Sequence, residues 1–195
     1  MRYFLVILCS IVIASNACEK ASDPSRITSA GGSVTEIIYL LNAEDNLIAV
    51  DVTSNYPPEA KKLPSIGYVR QLSAEGVLSL DPTIIIGEDD MGPPSVLDQI
   101  KRTQVEITII PEDHNIEGIL KKIECVSSVI GINSEAIINN TIIPKISKLN
   151  QLIQEGKKKK IIYILGMQSG SPLVAGNNTS GDGLINISGG INPFS

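Results

Sequence analysis

Apolar residues fall in short blocks whose spacing switches between strand and helix periods. Residues 26–30, RITSA, form a strand-length run that stops at Gly31-Gly32. Ser33-Val34-Thr35-Glu36 then shows the S-x-x-E spacing of a capping box, which predicts a helix to about residue 41. Residues 47–51 are a second apolar run, followed by a loop with Pro57, Pro58 and Pro64. A short helix is predicted over 73–80. Residues 83–87, TIIIG, are β-branched and apolar throughout, as in a strand covered on both faces. A helix opening at proline is predicted over 93–104, and another buried strand over 106–110.

Strands that alternate with helices imply parallel pairing and right-handed crossovers. Residues 26–114 are therefore expected to form one α/β lobe. Its ligand crevice should lie at the carboxyl ends of the strands, in loops that begin at Gly31, Asp51, Gly87 and Pro111. Residues 115–156 read as helical, in two stretches over 116–131 and 134–155. The second holds Pro144 as a kink or a first turn after a break, and carries Ile138, Ile142, Ile146, Leu149 and Ile153 at roughly helical spacing. A helix of about twenty residues spans about 30 Å, enough to bridge two lobes. Lys157–Lys160 reads as a solvated basic helix end. Residues 161–166 then read as a new buried strand, 167–178 as a Gly- and Ser-rich loop, and 182–187 as a helix that Gly189-Gly190 ends. Residues 157–195 are thus the start of a second α/β lobe, too small to hold a core alone.

The amino-terminal pattern changes the setting. Arg2 precedes an apolar run that gives way to Ser15-Asn16-Ala17, the pattern of a secretory signal over residues 1–17. Cleavage there would leave Cys18 first, so a lipoprotein anchor at Cys18 stays open beside plain export, although Ser15 stands where such sites usually carry Leu. Residues 18–25 read as a polar linker. Cys125 reads as a small buried thiol, and the three cysteines suggest no disulfide framework. A net charge of −5 argues against nucleic-acid partners, which demand clustered Lys and Arg.

Catalytic signals are weak. Gly31-Gly32-Ser33 is neither G-x-G-x-x-G nor a P-loop, and reads more readily as a tight turn than as a phosphate cradle for a nucleotide-using enzyme. His114 stands alone without metal spacing and reads as a capping or solvent-facing loop residue. Glu88-Asp89-Asp90 reads as a solvated loop rather than a hard-cation cluster. No G-x-S-x-G elbow is present.

Five stretches, ITSAGGSVTEIIYLL, GYVRQLSAEGVLSLDPT, GPPSVLDQI, IPEDHNIEGILKKI and SPLVAGNNTSGDGLINISGGINPF, resemble the haem (hemin) substrate-binding proteins of bacterial ABC importers. These belong to the wider metal-chelate periplasmic binding proteins, and the likeness runs from Arg26 to about Phe194. GYVRQLSAEG is its most specific part. The resemblance implies two Rossmann-like lobes joined by a long helix, haem held in the cleft between them, and no enzymatic activity.

It further implies that Tyr68 is the axial ligand of ferric haem iron and the metal-binding residue. A hard anionic oxygen suits ferric iron, and phenolate is a known haem ligand. A free phenol ionises near pH 10, so ferric charge and a neighbouring guanidinium are needed to favour phenolate. Arg70 would supply that charge or pair with a haem propionate. Some members add a His from the first loop of the second lobe. Here that loop reads Met167-Gln168-Ser169-Gly170, so Tyr68 is expected to ligate alone, with Met167 and Gln168 as wall contacts. Glu75 matches a first-lobe acid that docks on arginines of the inner-membrane ABC permease, while Ile191 stands where some relatives carry the second acid. The expected protein is a monomeric periplasmic haem carrier serving iron acquisition, with its second lobe truncated. A siderophore or cobalamin carrier of the same fold, and a nonfunctional truncated remnant, stay open.

Overall fold

The computed structural model describes residues 18–195, and the signal expected over residues 1–17 lies outside the described residues. Strands β1 (Ile27–Ala30), β2 (Leu47–Val50), β3 (Ile84–Glu88) and β4 (Glu106–Ile110) form one parallel sheet in the order β2-β1-β3-β4. Helices α1 (Gly32–Leu40), α2 (Ala74–Leu78) and α3 (Pro94–Ile100) lie in the crossovers, and α4 (Ile116–Ile130) follows β4. Side chains alternate across a strand, so β3 feeds two cores. Ile84 and Ile86 pack with Val34 and Ile38 of α1 and Ile123 and Val126 of α4. Ile85 points the other way, into Val77, Leu97 and Ile100 of α2 and α3. All three β3 isoleucines are fully buried, as their unbroken apolar run predicts.

Two local readings change. Ser33 is not a cap: α1 starts one residue earlier, with Gly31 at the N-cap and no side-chain cap bond. The Ser33 hydroxyl donates instead to the Glu88 carboxylate across the sheet end. The β4 strand, expected to be buried, is the sheet edge, and Ile109 is exposed. The α4 helix is bounded as expected from its sequence. Asn115 Oδ1 accepts from Gly118 N at 2.8 Å, and Gly131 closes the helix in the left-handed region at φ 76°.

Residues 135–155 form one helical run made of α5 (Glu135–Ile137), a π turn (Ile138–Ile142) and α6 (Ile143–Glu155). Pro144 has no N–H to donate, and the π turn just before it re-spaces the carbonyls that a regular helix would leave unpaired there.

The second unit differs more from expectation. The strand expected to be buried over 161–166 is β5 (Ile164–Gln168), shifted along the chain and exposed at every residue. It pairs antiparallel with β6 (Ser171–Val174), inside the segment read as a loop. Ser169 and Gly170 turn the chain between them, both at positive φ. The α7 helix (Ser180–Ile187) follows, with Thr179 Oγ1 accepting from Asp182 N. Asn192 Nδ2 donates to Asp182 Oδ1 at 2.7 Å and to the Ala175 carbonyl, which ties the end of the described chain back to β6 and α7.

The thiol expected at Cys125 is absent, and so is a free sulfur at Cys18: the two form a disulfide. The segment read as a linker is docked on α4. Ser128 Oγ donates to the Cys18 carbonyl at 2.7 Å, Ala21 N donates to the Val129 carbonyl at 2.9 Å, and the Ala21 side chain is buried in the core. Sequence spacing alone gave no sign that this docking would bring the two cysteines together.

Candidate functional site

The carboxyl ends of β1, β2, β3 and β4 carry the loops predicted to form a crevice, and the structure links them through buried polar groups. Asp51, at the end of β2, is buried; its Oδ1 accepts from Gly31 N at 3.2 Å and Ser54 Oγ at 2.8 Å, and its Oδ2 accepts from Thr53 N and Thr53 Oγ1. Gly31 must be glycine twice over. Its φ is 141°, and a Cβ there would stand 2.6 Å from Glu88 Cδ.

Glu88 also meets Lys122 of α4. Lys122 Nζ lies 3.1 Å from Glu88 Oε1 and 3.1 Å from Glu112 Oε1, and its side chain is only 8% exposed. One buried ammonium therefore bridges the end of β3 and the loop that leaves β4. The sequence reading missed this network. Its sign was there: Lys122 occupies the stripe Gly118, Lys122, Val126 at i+4 spacing, where a charge needs a partner.

Tyr68 begins a 3-10 turn, Val69–Gln71, that runs beside the second core. Ile66, Val69 and Leu72 are buried in that core. Gly92 N donates to the Val69 carbonyl and Leu72 N donates to the Gly92 carbonyl, both at 2.9 Å, so the turn is pinned to the loop after β3. Residues on each side of Tyr68 are held inward, and its side chain is left 41% exposed. Arg70 is exposed as well, and its Nε lies 2.7 Å from Asp90 Oδ2. That hydrogen bond, then the Asp90 charge, then the charge of Tyr68 raise the Arg70 pKa further above its ordinary value. Asp90 is thus a partner of Arg70 rather than a bystander in a solvated acidic loop.

The other expected residues stand on other elements. Met167 and Gln168 end β5, paired with Pro172 and Ser171, and Met167 is 68% exposed. Among the described residues no hydrogen bond joins them to Tyr68 or Arg70. Glu75 stands exposed in the first turn of α2, after Ser73, whose Oγ accepts from Gly76 N at 3.2 Å. His114 is not the cap of α4, which is Asn115. It is half-buried, and it packs where Gly183 of α7 leaves room.

Two cavities open on this side. One of about 570 Å³ lies between α1 and α4, with Tyr39, Tyr56, Ile119 and Lys122 in its wall and Lys145 of α6 at its rim. The other, about 480 Å³, lies between the loop after β4 and the start of α7, and is lined by polar residues including Asn115, Asn177 and Thr179. Among the described residues no group of His, Cys, Asp and Glu side chains could hold a metal ion by itself. The rim presents the Tyr68 phenol and the Arg70 guanidinium beside the more exposed Tyr56, and among the described residues its hydrogen bonds include no nucleophile–base pair.

A parallel lobe, a helical run beyond it and the start of a second unit are the plan of a two-lobed periplasmic binding protein. The model of the family described as periplasmic binding protein matches residues 27–195, and the chain belongs to that family. Among solved structures, the periplasmic haem-binding protein RhuT of Roseiflexus sp. RS-1 is similar at 35% identity with a TM-score of 0.79, over 86% of this chain and 65% of that one. The periplasmic haem-binding protein HutB of Vibrio cholerae is similar at 35% identity with a TM-score of 0.76, over 89% of this chain and 67% of that one. A curated relative, the vitamin B12-binding protein of Pectobacterium carotovorum subsp. carotovorum, is 32% identical over 87 residues, which are 45% of this chain and 32% of that protein. The chain therefore spans about a third of the curated relatives it matches and about two thirds of the structures. The fold is that of class III periplasmic binding proteins, of which this chain supplies a part.

Proposed function

We propose that this protein captures ferric haem and delivers it to an ABC permease of the inner membrane, as an exported, non-enzymatic carrier in the periplasm. The observation that carries this reading is the presentation of Tyr68. A phenol held outward by buried neighbours on both sides, with a protonated guanidinium two residues on, suits an anionic oxygen ligand for ferric iron. Arg70 would face a haem propionate, and Met167 and Gln168 would supply wall contacts from the second lobe. Glu75, exposed beside this rim, is proposed to dock on arginines of the permease. In this reading residues 26–114 are the first lobe, 115–156 the joining region and 157–195 the start of the second. The haem-binding proteins among the similar structures support the choice of ligand.

The vitamin B12-binding relative favours a second reading, a cobalamin carrier of the same fold, in which Tyr68 need not touch metal. Titration with ferric haem and with cobalamin, followed by visible absorption on wild type and Tyr68→Phe, separates the two. A phenolate-to-iron band that is lost in Tyr68→Phe is expected. Haem spectra identical in the two proteins, or binding of cobalamin alone, would reject haem ligation by Tyr68.

A further inference from the structure

We propose that in the exported protein the sulfur of Cys18 is committed to Cys125, so that Cys18 is a crosslink that straps residues 18–26 to α4 and not a lipid attachment point. The bond and the docking support each other. Cys18 is held through its carbonyl by Ser128 Oγ, Ala21 through its amide by the Val129 carbonyl, and Ser22 N by Glu106 Oε1 at 3.1 Å. Each of these contacts sits on α4 or on β4, and Cys125 is only 5% exposed on the same helix. The Cys18 thiol is therefore delivered to its partner by a strap tied to the lobe at Cys18, Ala21 and Ser22.

A thiol sulfur has one bond to give. A thioether to diacylglycerol at Cys18 and a disulfide to Cys125 exclude one another. Lipid attachment would also set the acyl chains directly against α4, since the residues after Cys18 lie flat on the lobe and leave no free spacer between bilayer and protein. Formation of the bond is a two-electron oxidation. Both thiols lose a proton, and the electrons pass by thiol–disulfide exchange to a protein disulfide, which leaves as a dithiol. Exported compartments supply oxidants of this class. A cavity of about 410 Å³ lies beside the bond, lined by Cys18, Pro111, Lys121 and Cys125.

The test is independent of the ligand. The full 195-residue chain is expressed with its own leader in a bacterium with two membranes and fed labelled fatty acid. Free thiols are blocked with N-ethylmaleimide at lysis, and unreduced digests are read by mass spectrometry. The expected result is a linked pair of peptides carrying Cys18 and Cys125, separated by dithiothreitol and free of label. In Cys125→Ser, Cys18 is expected to take up N-ethylmaleimide. Acyl label on Cys18 in either protein, or N-ethylmaleimide on both cysteines of the wild type, would overturn the proposal. Failure of haem binding would leave this outcome untouched.

Discussion

Arg70 Nε lies 2.7 Å from Asp90 Oδ2, and this contact joins the turn that carries Tyr68 to the loop that leaves β3. Both loops are already locked by the paired hydrogen bonds between Gly92 and residues Val69 and Leu72. The ion pair is therefore not what holds the rim together. It sets the charge that the rim offers: a guanidinium already answered by one carboxylate, which an incoming carboxylate must share or displace.

Asp90→Asn follows directly. Arg70 is 62% exposed, and exposed pairs of this kind contribute little to folding. The melting temperature is expected to stay within a degree or two of the wild type. If Arg70 pairs with a haem propionate, as proposed, haem affinity is expected to rise a few-fold, because Asp90 would no longer compete for the guanidinium. Parallel calorimetric melting and absorbance titration would check it; weaker binding would show instead that Asp90 orients Arg70 for the ligand.

Lys122→Met tests the opposite regime. This ammonium is 8% exposed and serves two carboxylates, so its removal leaves Glu88 and Glu112 facing one another with no cation between them. Breaking a buried pair from one side costs about 3 kcal/mol. Urea unfolding followed by circular dichroism should show that loss. A change below about 0.5 kcal/mol would mean that water already screens the pair, as at an ordinary surface site.

The disulfide closes a sequence separation of 107 residues. Chain-entropy reasoning puts the stabilisation at about 4.7 kcal/mol for a loop of that order, with measured values more often 2–4. Cys18→Ser and Cys125→Ser are expected to lower the melting temperature equally, and dithiothreitol is expected to do the same to the wild type and nothing to either variant. Unequal losses would assign the larger part to packing at one cysteine.

Tyr39 gives the alkaline limb of stability a cause. Desolvation, and then the charges of Glu44 and Glu59, raise its pKa above the ordinary 10.0. The folded protein then holds a proton that the unfolded chain releases, so this contribution is complete below pH 10 and lost as pH climbs through the raised value. Melting temperatures measured from pH 9 to pH 11 should fall less steeply in Tyr39→Phe than in the wild type.

The first lobe was legible in the sequence because each of its elements buries a pattern of its own. The run Ile84-Ile85-Ile86 announces a strand with a core on both sides, and the stripe Ile123, Val126, Ile130 announces the packed face of α4. The turn at Tyr68 was legible only through resemblance, since nothing in GYVRQL says that Ile66, Val69 and Leu72 are the anchors and Tyr68 the free side chain. Ser33 was misread because a hydroxyl three residues before a glutamate looks the same whether it caps a helix or reaches Glu88 at the end of a distant strand. The disulfide and Lys122 were missed for one reason: both depend on which distant segments α4 meets. In the second unit, residues 161–166 carry the apolar content of a core strand, yet β5 lies exposed, and composition cannot report burial that other segments must provide.

The approach of α7 to the loop after β4 depends on a missing side chain. A Cβ on Gly183 would stand 2.6 Å from the Cβ of His114, with the His114 carbonyl nearer still. Backbone cannot yield as a flexible side-chain end can, so α7 of Gly183→Ala must lift from the loop after β4. Helix propensity works the other way, since alanine gains about 1 kcal/mol over glycine within a helix. The variant thus separates the stability of α7 from its docking. Limited proteolysis is expected to cut residues 157–195 faster in Gly183→Ala than in wild type, while hydrogen exchange in β1 and β3 stays the same. If cleavage is unchanged, the contact of α7 with His114 contributes nothing to the joining of the units.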